Sequence, residues 1–398
     1  MNRRQFLALA AATAFAPLAL ADQIDPDIKI TRISAFDVAS KRVKFVGKNA
    51  RLPDHGDTAR DPIVLLRTNN GIEGFGYCRA PLDKVKELLG AKPHDLLNTQ
   101  SHRITSGLAA QTAPIWDLLG KLSGKPVYQL FEVTPNSSPK ARVYDGSVYF
   151  SDLLEQHAQN WQDRFKWEVD EIRARGHNFL KVKIGRGAKW MERSQGDQRD
   201  IEVLKLIRAH GGKDLTIAAD ANNGYDLDRT KRLLESDPDL NLAFIEEMFE
   251  ENIEKYHQLK EYLAAHKLNT LIADGETNPT VEPLKPFIAA KAIDIYQLDV
   301  NQVGVDGLMD EASLCSPQGG TIAPHTWGTH VGFYAQLHVA RANCNWYAGE
   351  QDPLICEALT ADGYTLKDGY VTVPDSPGFG LKLNTDAATV KPVYDLKV

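Results

Sequence analysis

The sequence has 398 residues, of which 25% are charged and 43% are hydrophobic, and its formal net charge at pH 7 is -7. This length exceeds one ordinary hydrophobic core and favours a barrel together with a smaller domain. The net negative charge and the scattered basic residues give no electrostatic case for nucleic-acid binding. We therefore expect no nucleic-acid partner.

Residues 1–21 have the pattern of an export signal. Arg3 and Arg4 precede an apolar stretch that ends in the small-residue sequence Ala19-Leu20-Ala21, and the paired arginines resemble a twin-arginine signal. The apolar stretch, about 14 residues, is shorter than the roughly 20 that span a bilayer, which favours cleavage over a retained anchor. We expect a periplasmic protein with no membrane span after cleavage.

Residues 22–139 predict a small α+β domain. The apolar runs 63–68 and 72–77 flank the turn Asn69-Asn70-Gly71, a combination typical of an antiparallel hairpin. Residues 41–60 are polar and basic, and we interpret them as a long loop. Such a loop is either a mobile surface segment or a lid whose cations could help to hold an acidic substrate.

Residues 140–360 alternate short apolar runs with helical patterns. The runs are rich in β-branched residues and suit parallel strands buried on both faces. This alternation predicts an α/β protein with a (β/α)8 barrel, and residues 361–398 are predicted to run back to the first domain. The clearest runs are residues 179–184, 215–219, 242–245, 269–273, 293–298 and 321–323.

Seven ionisable residues stand at or just after the ends of short apolar runs, at separations of 23 to 37 residues. One such residue would more often be a helix N-cap than a functional group. Side chains at the carboxyl ends of barrel strands converge on one face, however, and that face holds the active site. Seven ionisable residues at such similar spacing therefore predict one site, made of Lys183, Asp220, Glu246, Glu276, Asp299, His325 and Glu350.

Three carboxylates among them predict a metal site. Asp220, Glu246 and Glu276 would end three successive strands, so their oxygens could meet around one hard divalent cation. Magnesium prefers oxygen ligands, whereas zinc would favour Cys or paired His ligands, which are absent from the sequence near these positions. We expect one Mg²⁺ per subunit; separate helix caps or salt bridges are the alternative.

The remaining members predict acid–base chemistry. Lys181 and Lys183 point to the same face of one strand, and we expect a neighbouring like charge and a metal to lower the pKa of a lysine so that it acts as a base. Asp299 could bond one imidazole nitrogen of His325 and prepare the ring as an acid or base. These parts suit removal of the proton α to a carboxylate, with a metal stabilising the enediolate; racemisation, epimerisation or dehydration could follow.

The order of the motifs resembles the enolase superfamily, specifically its mandelate racemase subgroup. The resemblance implies a modified TIM barrel of the (β/α)7β kind, with an N-terminal α+β capping domain completed by the C-terminal segment, and it implies a homo-oligomer. The matching motifs are Lys181-Val182-Lys183 for K-x-K, Asp220-Ala221-Asn222 for D-x-N, Ile245-Glu246-Glu247 for I-E-E, Gly275-Glu276 for G-E, Asp299-Val300-Asn301 with Gly304 for D-x-N-x-x-G, and Pro324-His325 for P-H.

The same resemblance implies a role for each catalytic candidate. Lys183 would be the base on one face, and His325 with Asp299 the base or acid on the other. Lys181 would lie next to the substrate carboxylate, to which Glu350 would hydrogen-bond as charge builds there. Departures from the family pattern, among them Met248 after I-E-E, leave Asp274 and Glu247 as possible competing metal ligands.

We expect Asn222, His55 and Trp327 to contact substrate. The function that these features favour is dehydration of an acid sugar by a magnesium-dependent periplasmic enzyme. A racemase or epimerase, or a cycloisomerase, of a hydroxy acid is the alternative within the same family. A periplasmic sugar-acid binding protein without activity is the alternative of another class. The paired bases weigh against it, because binding alone does not require them.

Overall fold

The structure, a computed structural model, describes residues 24–98, 100–131, 138–343 and 345–398. The predicted signal peptide, residues 1–21, lies outside the described residues. Among the helices in the described ranges, none combines the length and the hydropathy that crossing a bilayer requires.

The N-terminal part, here called the cap, is an antiparallel sheet with helices. Strand β1 pairs with β2, which pairs with β3 across the turn at Gly71 (φ 86°), so the predicted hairpin is confirmed. The elements are β1 Ile30–Val46, β2 Gly56–Thr68, β3 Glu73–Tyr77, β4 Leu97–Asn98 and β5 Arg103–Ile104, with helices α1 Leu82–Lys86, α2 Ala113–Ser123 and α3 Val127–Leu130.

The interpretation of residues 41–60 as one long loop is wrong. Strand β1 continues to Val46 and β2 begins at Gly56, which leaves only residues 47–55 between the strands. Both strands alternate buried and exposed positions here, so outward polar side chains, including Lys41 and Arg60, hide the strand signal in the sequence.

The second part is a barrel of eight parallel strands. Strands β6 to β12 pair in sequence order, and β13 closes on β6 through Glu350 opposite Tyr144. The strands are β6 Lys140–Val148, β7 Phe179–Lys183, β8 Thr216–Asp220, β9 Phe244–Glu246, β10 Leu271–Asp274, β11 Ile295–Tyr296, β12 Thr321–Ile322 and β13 Gly349–Gln351.

A helix follows each of the first seven barrel strands, and none follows β13 among the described residues, so the predicted (β/α)7β form is confirmed. These helices are α4 Trp161–Ala174, α5 Arg193–Gly211, α6 Leu227–Glu235, α7 Ile253–Ala265, α8 Lys285–Ala289, α9 Val300–Cys315 and α10 His330–Ala342. Short 3-10 turns lie at Pro93–Leu96, Ser151–Leu153, Glu155–His157, Arg186–Ala188, Pro238–Leu240, Glu282–Leu284 and Ser316–Gln318.

The residues after β13 return to the cap. The last strand pairs antiparallel with β1, from Arg32 opposite Lys397 to Val38 opposite Val390. This pairing completes the cap sheet with the C-terminal segment, as predicted; the domain boundaries at residues 22, 140 and 361 stay predictions. The strands of this segment are β14 Leu354–Ile355, β15 Leu359–Thr360, β16 Thr365–Lys367, β17 Tyr370–Thr372, β18 Lys382–Leu383 and β19 Val390–Lys397.

An apolar plug fills one end of the barrel. Phe179 and Phe244 pack with Tyr144 and with small residues from the other strands, and all are nearly inaccessible to solvent. On β7 the inward positions above Phe179 are Lys181 and Lys183, because strand residues alternate between faces. The plug therefore leaves the carboxyl ends of the strands as the place where charged side chains meet.

The cap lies over that end of the barrel. The loop 47–55 is held there by two bonds to the segment after β7, from Trp190 Nε1 to the Asn49 carbonyl (2.6 Å) and from Lys189 Nζ to the Arg51 carbonyl (3.0 Å). On the opposite side Gly304, with φ 61°, approaches the cap so closely that a Cβ would lie 2.0 Å from a backbone carbonyl oxygen. The cap thus shields the strand ends from solvent.

Candidate active site

Three carboxylates meet at the ends of neighbouring strands. In the parallel register Lys183 lies beside Asp220, and Asp220 beside Glu246, while Glu276 follows the next strand. One oxygen from each of Asp220, Glu246 and Glu276 lies within 4.8 Å of the others. Within the described ranges this is the one group of three or more Asp, Glu, His or Cys side chains that could hold an ion in this way.

Lys181 is fully buried and ties the carboxylates together. Its Nζ lies 2.5 Å from Glu246 Oε1, 3.0 Å from Glu350 Oε1 and 3.3 Å from Asp220 Oδ2. Burial acts to lower the pKa of Lys181, but the charges of Glu246 and Glu350 outweigh burial and hold it well above its ordinary value. Lys181 therefore stays an ammonium group among anions.

Lys183 bonds Asp220 Oδ2 through its Nζ, which lies 5.4 Å from the ring centroid of Tyr149. The like charge of Lys181 does lower the pKa of Lys183, as expected, but it does not decide it. Burial does favour the neutral amine, but the adjacent Asp220 carboxylate outweighs burial, so the pKa of Lys183 lies above its ordinary value. The like charge of Lys181, one of the two influences named in the expectation, has a smaller effect than Asp220, and the lowering by a metal stays a prediction.

His325 lies at the other end of the carboxylate group. Its Nδ1 lies 3.3 Å from Asp299 Oδ2, and its Nε2 lies 3.4 Å from Glu276 Oε2 and 3.7 Å from Glu350 Oε2. Burial acts to lower the pKa of His325, but Glu276, Glu350 and Asp299 together raise it to about 10. These three carboxylates favour the protonated ring, whose Nε2 faces the carboxylate group.

The two carboxylate oxygens of Asp299 make different contacts. Its Oδ1 accepts a bond from the backbone N of Asn301 (2.7 Å) as the N-cap of α9, and its Oδ2 faces His325. Glu350 is similarly fixed, since its Oε2 accepts from the backbone N of Thr326 (3.0 Å), one residue after His325. The structure therefore brings both predicted carboxylates to the histidine.

The two possible competing ligands are engaged elsewhere. Asp274 accepts from the hydroxyl of Tyr256 and from the backbone N of Gly275 (2.7 Å), one bond to each oxygen. Glu247 accepts from Asn222 Nδ2 (2.9 Å). Asn222 lies beside the carboxylates, and its side-chain amide donates to Glu247. The role of Asn222 in substrate binding stays a prediction.

His55 and Trp327, the other predicted substrate contacts, pack together with Tyr149. The rings of Tyr149 and Trp327 stack at 4.9 Å, and the ring of His55 meets that of Tyr149 edge-on at 4.8 Å. Burial and the charges of Lys183 and Arg42 lower the pKa of His55 to about 4, so the imidazole is neutral at pH 7. The three rings form an uncharged wall beside Lys183, here called the aromatic wall.

The cations of residues 41–60 are mostly paired within the protein. Arg42 binds Asp352 in a buried ion pair (2.8 Å), Lys44 binds Glu168 (2.5 Å) and Lys48 binds Asp54 (3.0 Å). These pairs weigh against the expectation that the cations of this segment hold an acidic substrate.

Two site residues were not predicted from the sequence. Tyr149 follows β6 and forms the centre of the aromatic wall, and Gln297 donates from Nε2 to Glu246 Oε2 (2.7 Å). Neither side chain is charged, so neither belongs to the evenly spaced pattern of ionisable residues. The position of Gln297, two residues before Asp299 at the end of β11, is the signal that could have revealed it.

The donor set fits a hard divalent cation. Three carboxylates provide oxygens at a mutual spacing that one ion can span, and Glu276 Oε2 is a buried oxygen without a hydrogen-bond partner. A barrel with this carboxylate group, a lysine at one end of it and a histidine–aspartate pair at the other has the groups that metal-assisted acid–base catalysis requires.

Comparisons with known proteins assign the family. Residues 164–387 match the model of the family described as Enolase C-terminal domain-like, which is more than half of the chain. The chain is 30% identical over 280 residues to an arabinonate dehydratase of Saccharolobus solfataricus, and the match covers 69% of each chain. The chain belongs to the enolase superfamily.

Solved structures agree with this assignment. A galacturonate dehydratase from Geobacillus sp., in complex with D-galacturonate and 5-keto-4-deoxy-D-galacturonate, superposes with a TM-score of 0.83 at 30% identity and covers 91% of this chain and 96% of its own. A mandelate racemase/muconate lactonizing protein from Geobacillus sp. Y412MC10, complexed with magnesium and tartrate, has a TM-score of 0.84 at 30% identity, covering 91% and 94%. The three-carboxylate donor set and the magnesium bound in the second of these structures support Mg²⁺ as the cofactor.

Proposed function

We propose that this protein is a Mg²⁺-dependent dehydratase of an acid sugar. The observation that carries the proposal is the placement of two different proton-transfer groups at opposite ends of one carboxylate group: Lys183 at Asp220 and His325 at Glu276. A dehydration needs such a division, because one group must take a proton from carbon and another must give one to the departing hydroxyl.

Lys183 is the base in this proposal. Asp220, Glu246 and Glu276 would hold the ion, which supplies Lewis-acid polarisation of the substrate carboxylate. With the ion bound, the charge of Asp220 would no longer hold the Lys183 ammonium group, and burial would favour the neutral amine that a base requires. Lys183 then removes the proton from the carbon next to the carboxylate.

His325 is the acid. As an imidazolium whose ring is oriented by Asp299, it protonates the hydroxyl on the β-carbon, and the carbon–oxygen bond breaks with loss of water. The electron pair left by the removed proton forms the new carbon–carbon double bond, and the resulting enol becomes a 2-keto-3-deoxy acid. Lys181 and Glu350 lie between the two groups, where the substrate carboxylate would be held.

The relatives include dehydratases, which support this reaction, and a cycloisomerase. The two ligands named for the Geobacillus galacturonate dehydratase differ by one water, as expected for loss of a hydroxyl next to the proton-bearing carbon. A D-galactarolactone cycloisomerase of Agrobacterium fabrum is also a relative, 24% identical over 360 residues and covering 82% of this chain and 90% of its own. A cycloisomerase and an epimerase use the same first proton transfer and differ in the fate of the β-substituent.

The test is turnover of a panel of acid sugars, aldonates, uronates and aldarates, with product detected as a 2-keto-3-deoxy acid after reaction with semicarbazide. We expect one class to give product with Mg²⁺ and none after treatment with EDTA. Recovery of an epimer or a ring-opened lactone without keto product would overturn dehydration. Binding without any turnover would instead support the non-catalytic alternative.

We further propose that the protein is exported by the twin-arginine route and acts in the periplasm as a homo-oligomer. The paired Arg3 and Arg4 before an apolar stretch support export. The test is fractionation of cells that produce the full-length chain or the Arg3→Lys, Arg4→Lys double variant, together with light scattering of the mature protein. Retention of both chains in the cytoplasm would overturn export, and a monomeric mass would overturn the oligomer.

A further inference from the structure

Glu311 is a buried carboxyl group that the proposed reaction does not use. It lies on α9, is inaccessible to solvent, and accepts one bond, from the backbone N of Leu298 to Oε1 (3.0 Å). Its Oε2 has no hydrogen-bond partner and is buried. No cation pairs with Glu311 in the described part of the chain, which is costly for a carboxylate and favours the neutral acid.

The backbone that Glu311 holds carries two residues of the active site. Gln297 precedes Leu298 and donates to Glu246, and Asp299 follows it and contacts His325. The regular ladder of β11 ends at Tyr296; beyond it Gln297 N bonds the Asp274 carbonyl (3.1 Å), and Asp299 forms an isolated parallel bridge with His325. Leu298, between these two positions, bonds the side chain of Glu311. The bond from Leu298 to Glu311 is thus a tether of this strand end to the helix behind it.

The position of Leu298 between Gln297 and Asp299 links its bond with Glu311 to these two site residues. Side chains alternate along the strand end, so Gln297 and Asp299 face the site while Leu298 faces α9. A shift of the Leu298 backbone would move both Gln297 and Asp299, one at the metal group and the other at the acid. Because proton transfer requires close alignment, a displacement of about 1 Å can cost on the order of a hundredfold in rate.

We propose that Glu311 is a positioning residue, which as a neutral acid holds the Leu298 backbone and thereby orients Gln297 towards Glu246 and Asp299 towards His325. This inference rests on the proposed roles of His325 and of the carboxylate group. Glu311 would contact neither the substrate nor the metal. It would act on Gln297 and Asp299 through its one bond to the Leu298 backbone.

The test compares three variants of the full chain. Glu311→Gln keeps an uncharged acceptor of the same shape, and Glu311→Met removes the acceptor while keeping most of the volume. Leu308→Ala, on the same helix and equally buried, serves as a matched control that creates a cavity without breaking the tether. Two readouts are measured: affinity for Mg²⁺ alone by calorimetry, and reaction of the acid sugar in heavy water.

In heavy water, elimination is followed as keto product and reversible removal of the α-proton as deuterium in recovered substrate. We expect Glu311→Met to bind Mg²⁺ about tenfold more weakly and to raise the ratio of exchange to elimination about tenfold, because the acid is misplaced while Lys183 is not. Glu311→Gln should match the wild type in both readouts, and Leu308→Ala should lose stability with an unchanged ratio.

Two outcomes would overturn the proposal: Glu311→Met equal to the wild type in both readouts, or Leu308→Ala reproducing the effects of Glu311→Met, which would show a general packing role. If the wild type turned over no acid sugar while Mg²⁺ affinity changed as expected, the proposed function would fail and the positioning role would stand.

Discussion

The neutral state of Glu311 predicts a stability that depends on pH in a defined way. Burial raises the pKa of this carboxyl from its ordinary 4.5 to about 8 in the folded protein. Between these values the unfolded chain ionises Glu311 and the folded chain does not, so the stabilisation present below pH 4.5 is lost progressively as the pH rises to about 8. At 1.36 kcal/mol per pH unit, the loss amounts to about 5 kcal/mol.

The Glu311→Gln variant removes this dependence. We expect the difference in unfolding free energy, variant minus wild type, to rise by about 1.4 kcal/mol per pH unit between pH 5 and 8 and to level off above. Cys315 and Tyr296, the titratable groups that face Glu311, stay neutral in this range because burial raises the pKa of Cys315 to about 12 and that of Tyr296 above its ordinary value. Urea unfolding of both proteins at several pH values measures the difference, and a difference independent of pH would refute the reasoning.

Three further predictions concern the metal group, the contact of cap and barrel, and the aromatic wall. Asp220→Asn should weaken Mg²⁺ binding more than about a hundredfold by calorimetry, whereas Asp274→Asn should change it less than about threefold because Tyr256 already engages that side chain. Gly304→Ala should cost several kcal/mol in chemical unfolding because its Cβ would meet a cap carbonyl, and Gly319→Ala, with φ 84° and no atom within 4 Å, only about 1–2 kcal/mol. Trp327→Phe should raise KM about threefold in steady-state kinetics with kcat little changed; a fall in kcat alone would contradict a role in substrate binding.

The sequence was sufficient for the barrel and for the ionisable part of the site, because both depend on spacing. Asp220 and Glu246 are each the last residue of a strand, and parallel register places them side by side. Such a pattern follows from chain geometry alone. The signal peptide, the domain boundaries and the role of each site residue stay predictions.

Other features depend on contacts that spacing does not encode. The extension of β1 to Val46 is concealed by polar outward residues, and the pKa of Lys183 depends on which neighbour lies closest, an anion rather than Lys181. Glu311 acts on a backbone group thirteen residues away, across the start of a helix, and nothing in its surrounding sequence marks it.

The central claim is that Lys183 removes the α-proton and His325 expels the hydroxyl. The most direct measurement is deuterium incorporation and keto-acid formation in heavy water for the wild type, Lys183→Ala and His325→Asn, each loaded with Mg²⁺. We expect the wild type to form keto acid, His325→Asn to exchange the α-proton without elimination, and Lys183→Ala to do neither. Keto-acid formation by Lys183→Ala at the rate of the wild type would contradict the assignment.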